Sequence, residues 1–297
     1  MSWDIRGKRV LVTGATSGIG FTAARSLARQ GARVSIVGRN AAKTASCVEQ
    51  LRAAAPGAEV SWFLCDFSRQ AEVRRLAAEV LRGMDRLDVL VNNAGTVFQK
   101  RELTEEGIEA TFALNHLGYF LLTQLLLDRI VQSAPARIVN VASIGHRRAT
   151  MNFDDLSFEH GYSMMAAYGR SKLANILYTR RLAPKLAGTG VTVNCLHPGA
   201  VATAIWSRAP LWARPLIGLV GMFAFISPEE GGQRIVDLVV KPELSATTGQ
   251  YFENGKLVEP SRLARDEAVA QRLWEESEKL TGLAARAGTA ERPQPHA

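Results

Sequence analysis

Short apolar runs alternate with stretches of helical spacing along most of the chain, and nearly every run ends in a turn signal. Residues 9–13 form a β-branched run that closes on Gly14, and residues 19–30 then carry apolar side chains at three- and four-residue spacing until Gly31. Continued along the chain, this pairing predicts strands at 9–13, 33–37, 59–65, 87–92, 137–142, 191–196 and 250–252. Helices are predicted over 19–30, 41–54, 70–82, 105–131, 164–186 and 228–240. Every connection is long enough for a right-handed crossover, so the strands should run parallel with helices on both faces. The expected architecture is one α/β domain over residues 1–281, a doubly wound parallel sheet of about seven strands. Ligands of such sheets bind at the carboxyl ends of the strands. Residues 282–297 read as a disordered tail, since Thr289 to Ala297 is polar and holds Pro293 and Pro295.

Composition narrows the class. The 297 residues are 47% hydrophobic and 22% charged, ordinary for a globular chain with a large core. Cys47, Cys65 and Cys195 are odd in number and widely spaced, which argues against a disulfide framework or a zinc site and for a reducing, cytoplasmic compartment. The five histidines show no metal spacing, so no metal ligand is assigned. Met1 to Lys8 is polar, and no N-terminal signal is expected. The longest apolar stretch, Pro210 to Ile226, is broken by Arg214 and Pro215, so no membrane-spanning segment is expected either. The net charge is +8, and the first 60 residues hold nine Lys or Arg against three acids, a net of +6. No nucleic-acid motif accompanies that charge. It reads equally as a solvated basic surface or as attraction for a polyphosphate ligand.

The candidate chemistry falls at the predicted carboxyl ends or on a helix beside them. Gly14, Ser17, Gly18, Ile19 and Gly20 make a strand-to-helix turn whose backbone amides can approach a pyrophosphate at a helix N-terminus. Its spacing is G-x3-G-x-G, and alone it fits a structural turn as well, as the lesser reading. The second strand runs into Gly38, Arg39 and Asn40, with no carboxylate to hold a ribose 2′-hydroxyl. The Arg39 guanidinium matches phosphate oxygens, which favours NADP(H) over NAD(H), although a plain surface arginine fits the same position.

With Asn92-Asn93-Ala94-Gly95 added, the sequence resembles the short-chain dehydrogenase/reductase family over nearly the whole chain. Asp66, Asn115, Ser143, Tyr168-Gly-Arg-Ser-Lys172, Pro198-Gly199 and Thr203 follow in that family's order. Asn115-His-Leu-Gly-Tyr-Phe-Leu-Leu-Thr123, Ser171-Lys-Leu-Ala-Asn-Ile-Leu177 and Leu196-His-Pro-Gly199 are most similar to retinol dehydrogenases and related lipid-carbonyl reductases. Thr248-Gly-Gln-Tyr-Phe252 and Leu273-Trp-Glu-Glu-Ser277 carry the likeness to the C-terminal end. The resemblance implies a Rossmann-type fold and an NAD(P)-dependent oxidoreductase. It implies that Asp66 caps the adenine edge, that Asn93, Ala94 and Gly95 line the cofactor, and that Pro198, Gly199 and Thr203 hold the carboxamide end. It further implies a substrate lid over 200–226 and a possible homodimer through the long helices.

The residues support that chemistry directly. Tyr168 and Lys172 are four apart on a predicted helix and share a face, so an ammonium can sit near the phenol and favour the phenolate. Tyr168 would then give a proton to a carbonyl oxygen and take one from an alcohol, with Ser143 polarising the same oxygen. No G-x-S-x-G elbow surrounds Ser143, so a nucleophilic serine is excluded. Asn115 sits in an apolar helix and must bond a carbonyl, a water or Lys172; the resemblance makes it a proton relay, and a purely structural bond would look the same. His146 reads first as a loop histidine facing solvent beside Arg147 and Arg148, and second as one lining the substrate mouth near Ser143. Trp206, Trp212, Phe223 and Phe225 suit a lipophilic carbonyl or alcohol substrate, or else pack on the core or a partner or rest on a membrane surface. Two functions stand: an NADP(H)-dependent carbonyl reductase or alcohol dehydrogenase, and a catalytically idle dinucleotide sensor or scaffold on the same fold. A sugar-nucleotide epimerase shares the Tyr-x3-Lys pair, but too little chain follows Leu196 for its substrate domain.

Overall fold

The computed structural model describes residues 3–200 and 226–284. The elements in chain order are β1 (Arg9–Thr13), α1 (Gly18–Arg29), β2 (Arg33–Gly38), α2 (Ala41–Ala54), β3 (Val60–Leu64), α3 (Gln70–Gly83), β4 (Val89–Asn92) and α4 (Ala110–Gln132). They continue with β5 (Ala136–Val141), α5 (Met164–Lys185), β6 (Val191–His197), α6 (Pro228–Val240), β7 (Tyr251–Glu253), β8 (Lys256–Leu257) and α7 (Glu267–Leu280). The strands form one sheet in the order β3-β2-β1-β4-β5-β6-β7-β8, parallel throughout except for β8, which pairs antiparallel with β7. The order reverses direction between β1 and β4, and there the strand ends diverge into a crevice.

Strands with apolar residues on both sides, such as β1 and β5, need cover on both faces, and the helices supply it. On one face α1, α2 and α6 pack through Ala23, Leu27, Val48, Leu51, Ile235 and Val239. On the other, α3, α4 and α5 contribute Val73, Leu76, Phe120, Leu122, Tyr178 and Leu182. Trp274 of α7 joins that second layer, stacked on Tyr178 with ring centroids 5.8 Å apart. The helical stretch Ala110–Gln132 is long and apolar enough to cross a membrane, but 83% of its most apolar window is buried inside this fold, so here it is a core helix.

Three expectations change. An eighth strand exists because Gly255 (φ 74°) and Asn254 (φ 53°) make a tight turn that folds two residues back on β7. The helix expected from residue 105 starts at Ala110, because Gly107 (φ 75°) closes a turn onto Thr104. The Glu109 carboxylate then caps the new start by accepting the amides of Thr111 and Phe112. Inside that helix, Ala113–Leu117 is a π-turn, which apolar periodicity does not reveal. The expected lid and tail lie outside the described residues apart from their margins. Of the lid only Ala200 and Ile226 are described, and the Ile226 amide donates to the Ala200 carbonyl at 2.8 Å.

The tightest helix pairing is α1 against α6. A Cβ at Gly232 would meet the Thr22 side chain and lie 3.0 Å from the Ala23 nitrogen. Thr22 also donates to the Pro228 carbonyl at 2.7 Å. Replacing Gly232 by Val must push the helices apart, and thermal or urea denaturation should show a loss of about 1–3 kcal/mol.

Candidate active site

The crevice between β1 and β4 opens into a cleft of about 610 Å³. Its floor begins at the first glycine turn. Gly14 (φ 64°) and Gly18 (φ 56°) hold a backbone that other residues adopt only with strain. A Cβ at Gly14 would lie 2.6 Å from the Ala94 Cα. The Thr13 hydroxyl accepts the amides of Asn93 (2.8 Å) and Ala94 (3.0 Å). In return the Asn93 side chain donates to the carbonyls of Thr13 (2.8 Å) and Gly14 (3.2 Å). The N-cap of α1, Ser17, is extended and its side chain makes no capping bond. The first turn of α1 has no acidic residue, so its amides keep their positive dipole end for an anion.

Gly14, Ser17, Gly18, Ile19, Gly20, Arg39, Asp66, Asn93, Ala94, Gly95, Ser143, Tyr168, Lys172, Pro198 and Gly199 all line this one cleft. Asn40 does not: its side chain is spent on capping α2 by accepting the Lys43 amide at 2.9 Å. Thr203 lies outside the described residues. Asp66 accepts from the Ser68 amide (3.0 Å) and hydroxyl (2.6 Å) and stands 3.6 Å from the Arg39 guanidinium. The Arg39 side chain is 66% exposed at the rim, which leaves donors for a further anion.

At the opposite end, Ser143 follows β5 and stands beside Tyr168: a Cβ at Gly145 would lie 3.6 Å from both Ser143 Oγ and Tyr168 Cδ1. Burial raises the phenol above its ordinary value, and the nearby Ser143 hydroxyl pulls it back. The Lys172 ammonium lies 5.7 Å from the Tyr168 ring centre and donates to the Val141 carbonyl at 2.9 Å. Burial pushes Lys172 itself down to about 7, which weakens the positive field it puts on the phenol. Asn115 stands behind the cleft and makes no bond to Lys172. Its amide donates to Thr96 O and Ser171 Oγ, each at 3.0 Å, and its oxygen accepts the Thr96 amide at 2.9 Å. Gly95 separates the two, since a Cβ there would lie 3.4 Å from both Asn115 Oδ1 and Lys172 Nζ.

His146 is buried, against the expectation of a solvent-facing loop. Its Nε2 accepts the Ser261 amide at 3.2 Å, so the ring proton sits on Nδ1 and is donated to the Ser143 carbonyl at 2.7 Å. The neighbouring arginines diverted the sequence reading, because Arg147 reaches outward to Glu253 while His146 turns inward against Tyr251. Phe98, Ile144, Met164 and Met165 were also missed; they form an apolar side of the same cleft.

Residues 8–213 match the short chain dehydrogenase family. The chain belongs to that family. This short-chain dehydrogenase is 44% identical to human retinol dehydrogenase 14 over 295 residues, covering 94% of this chain and 88% of that protein. It is 39% identical to human retinol dehydrogenase 13 over 286 residues, covering 95% of this chain and 86% of that one. Among solved structures, the Pseudomonas aeruginosa RhlG/NADP active-site complex is similar at a TM-score of 0.69 and 30% identity, covering 84% of this chain and 95% of that chain. The short-chain dehydrogenase is thus an oxidoreductase acting on CH–OH donors, in a family that binds NAD(P).

Burial pushes His116 and His197 down to about 4, whereas an unfolded histidine titrates near 6.5. Between those values the unfolded chain binds more protons, so stability falls as pH drops from about 6.5 toward 4. Unfolding free energies from urea titrations across that range should decline by up to about 1.4 kcal/mol per pH unit for each buried imidazole, and His116→Asn should flatten the slope.

Proposed function

We propose that this short-chain dehydrogenase is NADP(H)-dependent and interconverts a lipophilic aldehyde or ketone and its alcohol, with Tyr168 as the acid/base. The observation that carries the reading is one cleft that joins the glycine turn at one end to Ser143, Tyr168 and buried Lys172 at the other. The turn fits a dinucleotide: Gly14 and Gly20 stand where a Cβ would collide with Ala94 and Asn93, so backbone amides face the cleft uncovered. Bound there, the dinucleotide supplies or accepts the hydride.

In reduction, Tyr168 donates its phenolic proton to the carbonyl oxygen as negative charge builds, and in alcohol oxidation it takes that proton back. Ser143 holds the same oxygen by a hydrogen bond that strengthens as charge develops. Lys172, anchored on Val141 O, contributes positive charge beside the phenolate whenever its amine is protonated. Asn115 stabilises the wall behind them by bridging Thr96 and Ser171.

Two features support the finer parts of the reading. Arg39 lies at the rim with no carboxylate at the preceding strand end to repel a 2′-phosphate, and similar solved structures include an NADP complex. On the substrate side Ile144 and Met165 are 40% and 50% exposed, and covering them with an apolar substrate would yield about 25 cal/mol per Å² buried.

Tyr168→Phe should bind NADPH within about twofold of wild type by fluorescence titration, yet lose turnover by about 100-fold or more. Retained turnover would remove Tyr168 from the mechanism. Arg39→Asp should weaken NADPH about tenfold or more and leave NADH nearly unchanged, since it sets a carboxylate against the 2′-phosphate. NADPH and NADH oxidation against medium- and long-chain aldehydes, aromatic ketones, steroids and retinal tests the whole reading. Tight NADPH binding with no turnover on any of them would favour an idle dinucleotide sensor.

A further inference from the structure

Behind the cleft runs a chain of buried polar side chains that the chemistry above does not use. Asn175 lies on α5, one turn beyond Ser171, and is fully buried. Its amide nitrogen donates to two carbonyls, Asn115 O at 3.0 Å and Val141 O at 3.3 Å. The Val141 carbonyl is also the acceptor of Lys172 Nζ. One amide therefore spans the two backbone points on which Asn115 and Lys172 depend.

The orientation of that amide is fixed from its other side. With the nitrogen facing two carbonyls, the Asn175 oxygen must point away from them, and it meets His116 Nδ1 at 3.3 Å. An oxygen can only accept, so the imidazole carries its proton on Nδ1. Nε2 must then accept from Ser277 Oγ of α7, 2.9 Å away. The Ser277 hydroxyl also lies 2.7 Å from the Leu273 carbonyl, and in this tautomer its single proton goes to the imidazole. Burial keeps His116 neutral, with its pKa pushed down to about 4. Asn115 and His116 are neighbours in the π-turn, so the same widened turn bonds Thr96 and Ser171 through one residue and α7 through the next.

We infer that Asn175 is a positioning residue, which holds the Asn115 and Val141 carbonyls, and through them Asn115 and the Lys172 ammonium, in the geometry that turnover requires. His116 and Ser277 set the direction of its amide, which makes α7 part of the support of the active site. The inference rests on the reading that Tyr168 and Lys172 serve turnover.

The test compares full-length wild type, Tyr168→Phe, Asn175→Leu, His116→Leu and His116→Asn for kcat, KM, NADPH affinity and thermal midpoint. Asn175→Leu should lower kcat about 10- to 100-fold with KM and NADPH Kd within about threefold. His116→Leu should lower kcat about tenfold, and His116→Asn, whose amide can donate near the former Nδ1, should recover to within about threefold of wild type. Wild-type kcat in an Asn175→Leu protein that binds NADPH normally would overturn the inference. If Asn175→Leu fails to fold, the His116 pair decides: equal damage in folded His116→Leu and His116→Asn would overturn it as well. Turnover that survives Tyr168→Phe would defeat the catalytic reading instead, separately from Asn175. A readout independent of turnover is the NMR titration of the Lys172 amine, which should move in Asn175→Leu; an unmoved midpoint counts against the inference.

Discussion

The hydroxyl of Thr13 joins the ends of the two central strands, and the site is built around that junction. It accepts two successive amides from the loop after β4, while Asn93 returns two bonds to the turn after β1. With the bond that the Thr13 hydroxyl donates to the Val91 carbonyl, these hydrogen bonds across the switch point fix how far the strand ends part, and thus the width of the crevice. Gly14 has no side chain because Ala94 occupies that space, so the glycine turn and the Asn-Asn-Ala-Gly loop are two halves of one joint. The amides of α1 can face an anion because this joint, and not an N-cap side chain, determines where the helix begins.

Much of this was legible because strong local signals agreed with the global fold. All seven expected strands and six expected helices are present, since parallel strands buried on both faces and amphipathic helices leave distinct periodicities. Ser143 and the glycines reach one cleft from strand ends, and Tyr168 and Lys172 reach it from the helix beside them, as the sequence positions implied. What was not legible depends on contacts between distant residues. β8 rests on a left-handed turn at Asn254 and Gly255, and the π-turn around Asn115 on packing that hydrophobic period cannot register. Asn40 carries the same donor and acceptor groups whether it caps a helix or holds a ribose, so only the fold decides.

The histidines show the same limit. His116 and His146 look in sequence like a helix residue and a basic loop residue, yet each is buried with one ring nitrogen forced to accept. Their partners, Ser277 and Ser261, come from the C-terminal part of the chain, more than 100 residues away. A neutral imidazole can donate on one side and accept on the other, which suits it to join two rigid segments inside a low-dielectric interior. Lysine or arginine in either place would have only donors to offer and would carry the cost of a buried charge.

The backbone bond from Ile226 to Ala200 closes a different kind of junction. Gly199 lies beside it: a Cβ there would come 2.5 Å from Ile226 Cδ1, and Gly199 and Ala200 both line the cleft. Positions 200 and 226 are thereby neighbours at the cleft wall, so a substitution at Ile226 reaches Gly199 directly, without passing through the sheet or the proton-handling groups.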